Sequence, residues 1–374
     1  MSTTNKVIDQ GVAVREQEQF DVAAVTHWLQ SKLPELNDTP TLTQFPGGAS
    51  NWTYRLEYNT ADLILRRPPA GTKAKSAHNM QREHDIQLML KKYYPVVPKM
   101  VGYCADESLI GSDFYVMERV PGIIPRKNMP RGVELSEQQV RELCTNMLDQ
   151  LIALHKVDYR MAGLDTIGKG EGYIDRQVKG WCDRYRRAKT WNVPSGKKIM
   201  QWLEANKPAR EMLCITHNDF RFDNLVLNPD NPTEILAVLD WELATIGDPL
   251  VELGNMLAYW VQADDDRVAK ATRRQPTHLK GMLTRDEVIA YYCEKMGFKD
   301  VDMRFYQVFG LFRLSVIAQQ IYYRYYHKQT RNPAFKNFWF VVHYLHRRCR
   351  AISSPNPELA PVIKIRLRII IPSC

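Results

Sequence analysis

The sequence predicts an α+β protein with two lobes, a small β-rich one followed by a large, mainly helical one. Three observations carry that expectation. The 374 residues correspond to two domains, or one bilobal one, at roughly 150 residues per domain. Up to residue 118, short alternating apolar runs are punctuated by Gly, Asn and Pro. Beyond it, apolar residues recur at helical spacing in one segment after another. The expected division is residues 1–118, residues 119–360, and a tail over 361–374.

Residues 20–36 (FDVAAVTHWLQSKLPEL) read as a helix. The next stretch, TLTQFPGGASNWTYRLEYNTADLILRRPPAG, reads as strands joined by turns. Gly47-Gly48 is a turn signal between two strand-like runs, Thr53–Tyr58 alternates, residues 59–62 turn, and Leu63–Arg66 is a strand stopped by Pro68-Pro69. A helix over 77–92 and a strand pair around Lys99–Tyr103 and Phe114–Glu118 complete the small lobe. Arg119-Val120-Pro121-Gly122 reads as a hinge. Helices are expected over 136–156, 173–188, 196–206, 248–262, 284–297 and about 306–326. One β-hairpin interrupts them, with strands at 225–227 and 235–239.

Composition narrows the class. Apolar residues make up 44% and charged residues 25%, an ordinary globular mix. No apolar run approaches the ~20 residues of a membrane-spanning helix, so no membrane association is expected, and the polar N-terminal stretch points to the cytoplasm. Seven cysteines without a C-x-x-C pair argue against a disulfide framework or structural zinc. The net charge of +9 suits an anionic small molecule. No nucleic-acid module signature accompanies it, so nucleic acid is not an expected partner.

The chemistry concentrates in ITHNDFRFDNLVLNP, residues 215–229. His217 and Asp219 precede Asn224 by a short loop, and the hairpin then returns to Asp240 in AVLDWELATIGDP. A hairpin brings its two ends together, which sets Asn224 beside Asp240. One carboxylate and one amide oxygen are hard ligands of the kind Mg²⁺ takes alongside phosphate and water. A separate upstream carboxylate, Asp219, can accept a hydroxyl proton. Metal, base and nucleotide phosphates together are the minimum set for phosphoryl transfer. Taken singly, each residue also fits a polar turn; the order and the hairpin spacing set the group apart.

HNDFRFDN followed by LDWE resembles the catalytic and metal loops of the aminoglycoside phosphotransferase family, which has a protein-kinase-like fold. LILRRPP, YVMERVPG and GDPLVELGN are similar to its branch associated with acyl-CoA dehydrogenases. The resemblance implies ATP and Mg²⁺ as cofactors, Asp219 as catalytic base, and Asn224 and Asp240 as metal ligands. It also implies that His217 braces the loop and that Asp248 is a loop-anchoring carboxylate before the next helix, a place that also suits an N-cap followed by Pro249. Asp223 reads either as solvent-facing or as a loop brace. Glu242 reads either as a contact to a second metal through water or as a structural carboxylate.

On the nucleotide side, Gly47, Gly48, Ser50 and Asn51 form a small-residue loop whose backbone N–H groups could meet phosphate. The family places a lysine on the third strand; here Arg66 stands in LILRR, and strand phase favours it over Arg67. Guanidinium grips phosphate or carboxylate with two bonds. Glu83 matches the ion-pair partner, and Met117 and Glu118 match the strand end that holds the adenine. The acceptor expected is an anionic small molecule, a hydroxyacyl-CoA, on the strength of the charge and of Arg313, Arg324, Lys328 and Arg331 among late tyrosines. The alternatives are an aminoglycoside or choline-like amine, or a nucleotide-binding pseudokinase with a regulatory role.

Overall fold

The computed structural model describes residues 8–45, 51–69 and 79–354. They fall into two compact units: one holds residues up to 135 with 157–167 and 221–245, the other holds 136–156, 168–220 and the residues from 246 on. The elements are α1 (Val22–Gln30), β1 (Thr41–Phe45), β2 (Trp52–Glu57), β3 (Asp62–Arg67), α2 (Met80–Leu90), β4 (Met100–Cys104), β5 (Phe114–Glu118), α3 (Glu137–His155), α4 (Tyr173–Ala188), α5 (Lys197–Ala205), β6 (Cys214–Thr216), β7 (Leu225–Leu227), β8 (Ile235–Val238), β9 (Thr245–Gly247), α6 (Pro249–Ala258), α7 (Arg267–Thr272), α8 (Arg285–Met296), α9 (Arg304–Tyr326) and α10 (Phe338–Ser353).

In the first unit an antiparallel sheet runs in the order β1-β2-β3-β5-β4. Both faces of β3 are covered, so its side chains sort by the two-residue strand period. Leu63 and Leu65 join Val25, Leu29, Tyr54 and Phe114 in one core. Ile64 packs with Met80, Tyr115 and Met117 in the other. The same alternation parts the two arginines that follow. α1 starts at Asp21, whose carboxylate accepts from Ala24 N–H at 3.0 Å. It stops short of the expected 36, because the Ser31 and Lys32 N–H groups tighten onto Trp28 O and Leu29 O, three residues back, and Pro34 follows. α2 starts at the Asn79 cap.

The hairpin of β7 and β8, which the sequence groups with the helices, lies in the first unit. Two bonds between Ile123 and Leu227, at 2.9 and 2.8 Å, tie it to the residue that follows the expected hinge, and Val238 N–H donates to Val96 O at 2.8 Å.

In the second unit α9 is the central helix, packed against α10, α6 and α4. α6 and α9 cross at Gly254 and Gly310, where a Cβ on Gly310 would strike Gly254 O and a Cβ on Gly254 would strike Tyr306 O. Only glycine permits that approach. α6 ends at Ala258 rather than 262, since Val261 N–H donates to the Thr277 hydroxyl at 3.1 Å instead of continuing the helix. α7 and α10 are elements the sequence reading did not find. The six cysteines among the described residues are buried free thiols. No helix there is long and apolar enough to cross a membrane. The tail over 361–374 lies outside the described residues.

Candidate active site

A cavity of about 180 Å³ in the first unit is lined by Thr53, Ile64, Arg66, Met117, Asn224 and Asp240, among others. The hairpin puts the last two there. β7 and β8 pair Leu225 with Val238, and Leu239 N–H donates to Asn224 O at 2.8 Å. Asp240 then takes a left-handed backbone, φ 68°, a conformation that Asp tolerates better than most residues. A carboxylate and an amide facing one cavity fit Mg²⁺, a hard ion that keeps several water and phosphate oxygens of its own. Among the described residues no three His, Cys, Asp or Glu side chains cluster as a denser metal cage.

Arg66 is the arginine that faces this cavity. Its Nη1 donates to Glu83 Oε1 at 2.5 Å and its Nη2 to Asp240 Oδ1 at 3.0 Å. Burial works against the charge on Arg66, yet the Glu83 and Asp240 carboxylates hold it well above its ordinary range. Burial pushes the Glu83 carboxyl up, against the pull of Arg66. Arg67 turns to the other face of β3. It bonds the Ile110 and Glu18 carbonyls and the Tyr54 hydroxyl, and it lies over Phe20, Trp52 and Tyr54.

The remaining nucleotide-side residues are placed as follows. Gly47, Gly48 and Ser50 lie outside the described residues. Asn51 is buried, and its amide donates to Glu242 Oε2 at 3.1 Å, which gives Glu242 a partner within the protein. Asp223 pairs with Arg221 at 3.1 Å. Met117 and Glu118 both line the cavity. The Glu118 N–H donates to Lys99 O and the Arg119 N–H to Asp62 O. The next N–H along, that of Val120, has no acceptor among the described residues. Arg82 on α2, absent from the sequence reading, grips the carbonyls of Ile167, Glu242 and Ala244.

Asp219 belongs to the second unit, on a loop held from below. Its N–H donates to His217 Nδ1 at 3.3 Å. His217 is fully buried against Phe220 and braces the loop, as expected. Asn218 has φ 65°, a second left-handed non-glycine residue. The clamp that fixes this turn is Glu252, one of the residues missed in the sequence. It accepts from His217 N–H at 3.0 Å and from Asn218 N–H at 2.5 Å. Glu252 is braced in turn by His155 Nε2 at 2.8 Å, and His155 Nδ1 meets the Tyr292 hydroxyl at 2.6 Å. Asp248 caps α6 through Leu250 and Val251 N–H, the N-cap that its place before Pro249 suits, and also accepts from Met212 N–H at 3.0 Å. Burial pushes its carboxyl up despite those donors. Arg313 Nη2 donates to Asn218 O at 3.2 Å.

A larger cavity, about 800 Å³, opens between α4 and α5. Lys207 there pairs with Asp175 at 2.6 Å and Glu204 at 2.5 Å, and Lys179, Arg186 and Lys197 line it as well. It holds none of the residues singled out in the sequence and is not the candidate site.

The model of the phosphotransferase enzyme family matches residues 41–287. Acyl-CoA dehydrogenase family member 10 of Mus musculus is 38% identical over 285 residues, 76% of this chain and 26% of that protein. Family member 11 of Homo sapiens is 32% identical over 321 residues, 83% of this chain and 40% of that protein. The chain therefore spans well under half the length of these curated relatives. Among solved structures, a Ralstonia eutropha protein classed with the aminoglycoside phosphotransferases superposes with TM-score 0.76 at 26% identity, covering 90% of this chain and 98% of that one. Choline kinase from Cryptosporidium parvum superposes with TM-score 0.60 at 12% identity, covering 89% and 96%, and shares the kinase-like fold.

Proposed function

Because the chain belongs to the phosphotransferase enzyme family, we propose that it is an ATP- and Mg²⁺-dependent kinase of a small hydroxylated metabolite, with a hydroxyacyl-CoA as acceptor. The observation that carries this reading is the cavity shared by Arg66, Asn224 and Asp240. Arg66, oriented by Glu83, holds phosphate oxygens, and the backbone from Glu118 to Val120 meets the base. Asn224 and Asp240 would hold Mg²⁺, which offsets the negative charge of the transferring phosphoryl group. Asp219 orients the acceptor hydroxyl. As the hydroxyl oxygen bonds the γ-phosphorus, the bond to the β–γ bridging oxygen breaks, the proton passes to the Asp219 carboxylate, and ADP leaves.

The acceptor class rests on two supports. The net charge of +9 disfavours a polycation such as an aminoglycoside. The relatives that cover most of this chain are named as acyl-CoA dehydrogenase family members. The test is phosphate transfer from ATP with 3- and 4-hydroxyacyl-CoA thioesters, choline and aminoglycosides, read by product mass, with Asp219→Ala as control. A phosphorylated thioester that disappears in the variant is expected. Phosphorylated aminoglycoside would keep the mechanism and overturn the acceptor. ATP binding without transfer to any of them would favour the pseudokinase.

A further inference from the structure

Two guanidinium groups share one indole in the second unit. On α4, Arg184 lies 4.6 Å from the Trp181 ring centroid; Arg313, from α9, lies 5.3 Å from the same ring. Arg184 is exposed and Trp181 half-buried. Arg313 is only 8% exposed.

Burying a cation without a counter-charge is costly. The other buried arginines are well matched: Arg66 has two carboxylates, and Arg67 has two carbonyls and a tyrosine hydroxyl. Among the described residues Arg313 donates to one carbonyl, that of Asn218, and neither it nor Arg184 forms an ion pair. Arg184 is held below its ordinary range by burial, then by Arg187 and Arg313. This is a local excess of positive charge with planar donors kept in place by a ring, an arrangement suited to oxygen acceptors.

Its position limits the ligand. The carbonyl that Arg313 bonds belongs to the residue immediately before Asp219, and adjacent Cα atoms lie about 3.8 Å apart. A group held by Arg313 therefore lies beside the Asp219 turn.

We propose that Arg313 and Arg184, presented on Trp181, form the acceptor subsite and bind the acyl oxygen of a short hydroxy acid, as carboxylate or as thioester carbonyl. This rests on the reading of Asp219 given above. It adds that the acceptor is selected by an oxygen close to its hydroxyl, not only by distant phosphates.

The experiment uses the whole chain with 4-hydroxybutyrate, 4-hydroxybutyryl-CoA and 1,4-butanediol. Calorimetric binding and steady-state transfer are measured for wild type, Arg184→Gln, Arg184→Glu and Arg313→Lys. A charge-assisted bond contributes about 1.5–3 kcal/mol, so about 10- to 100-fold weaker acyl binding is expected in Arg184→Gln. A larger loss is expected in Arg184→Glu and an intermediate one in Arg313→Lys, with the effect on KM greater than on kcat. Binding of the diol should not depend on Arg184. Preference for the free acid or the thioester identifies the source of the oxygen. Binding that depends on Arg184 but leads to no transfer would sink the kinase reading and leave the subsite standing. Acyl binding unchanged in Arg184→Glu with an intact thermal midpoint, or no acyl binding in wild type, would overturn the subsite.

Discussion

Replacing Arg66 with Met removes a guanidinium and leaves Glu83, 1% exposed, as a buried carboxylate beside Asp240. Breaking a buried pair from one side typically costs about 3–5 kcal/mol. Here the cost has a ceiling, because Glu83 can escape by taking a proton. From its ordinary pKa of 4.5, that costs about 3.4 kcal/mol at pH 7, at about 1.36 kcal/mol per unit. The sign follows from linkage. In the variant the folded state holds a proton that the unfolded state releases, so the destabilisation grows as pH rises through the range above 4.5. The wild-type carboxyl is itself raised by burial, so the difference opens only above its own pKa. Urea unfolding at pH 5, 6, 7 and 8 measures this. The Arg66→Met loss should be no more than about 0.7 kcal/mol at pH 5 beyond a constant packing loss, and should grow with pH while staying below about 3.4 at pH 7. Adding Glu83→Gln to the variant should flatten the profile. A loss equal at every pH would refute the reasoning, because the Glu83 charge would then not be its source.

Two further outcomes follow from the second unit. Glu252→Gln replaces one of the two carboxylate oxygens with an amide N–H that opposes the donor of either His217 or Asn218, so it should cost about 3 kcal/mol of stability and lower transfer by about 100-fold through the displaced Asp219 turn; thermal melts and kcat check it, and wild-type turnover would refute it. His346 is buried against Tyr185 and Phe312, and its pKa is lowered to about 4 by burial, then by Arg350 and His343. The unfolded chain therefore binds the extra proton between pH 6.5 and about 4, and stability is lost as pH falls through that window, by up to about 3 kcal/mol. His346→Phe should lose less stability than wild type between pH 7 and 5 in paired urea titrations; parallel profiles would refute the assignment.

The candidate site was legible because its logic is local. His217, Asp219 and Asn224 fall within eight consecutive residues, and one hairpin returns the chain to Asp240. The choice between Arg66 and Arg67 was legible for the same reason, through the strand period. Glu252 was not: in VELGN it reads as any helical glutamate, and its partners lie 34 and 35 positions earlier. The assignment of the hairpin to the first unit depends on the Ile123–Leu227 bridge, a pairing between segments about a hundred residues apart that no periodicity announces. α10 was missed because FWFVVHYL is aromatic and β-branched, and only packing on α9 decides its conformation.

Glu252 stands two residues before Gly254 on α6, and Arg313 three residues after Gly310 on α9. The two side chains that grip the Asp219 turn therefore flank the point where the helices meet backbone to backbone. A lineage that changes its acceptor has little freedom there, since a shift of either helix would move Asp219 with it. Arg184, exposed on α4, carries no such burden. The fold separates a part that must not vary from a rim that can, and divergence of substrate within this family has an open route along that rim.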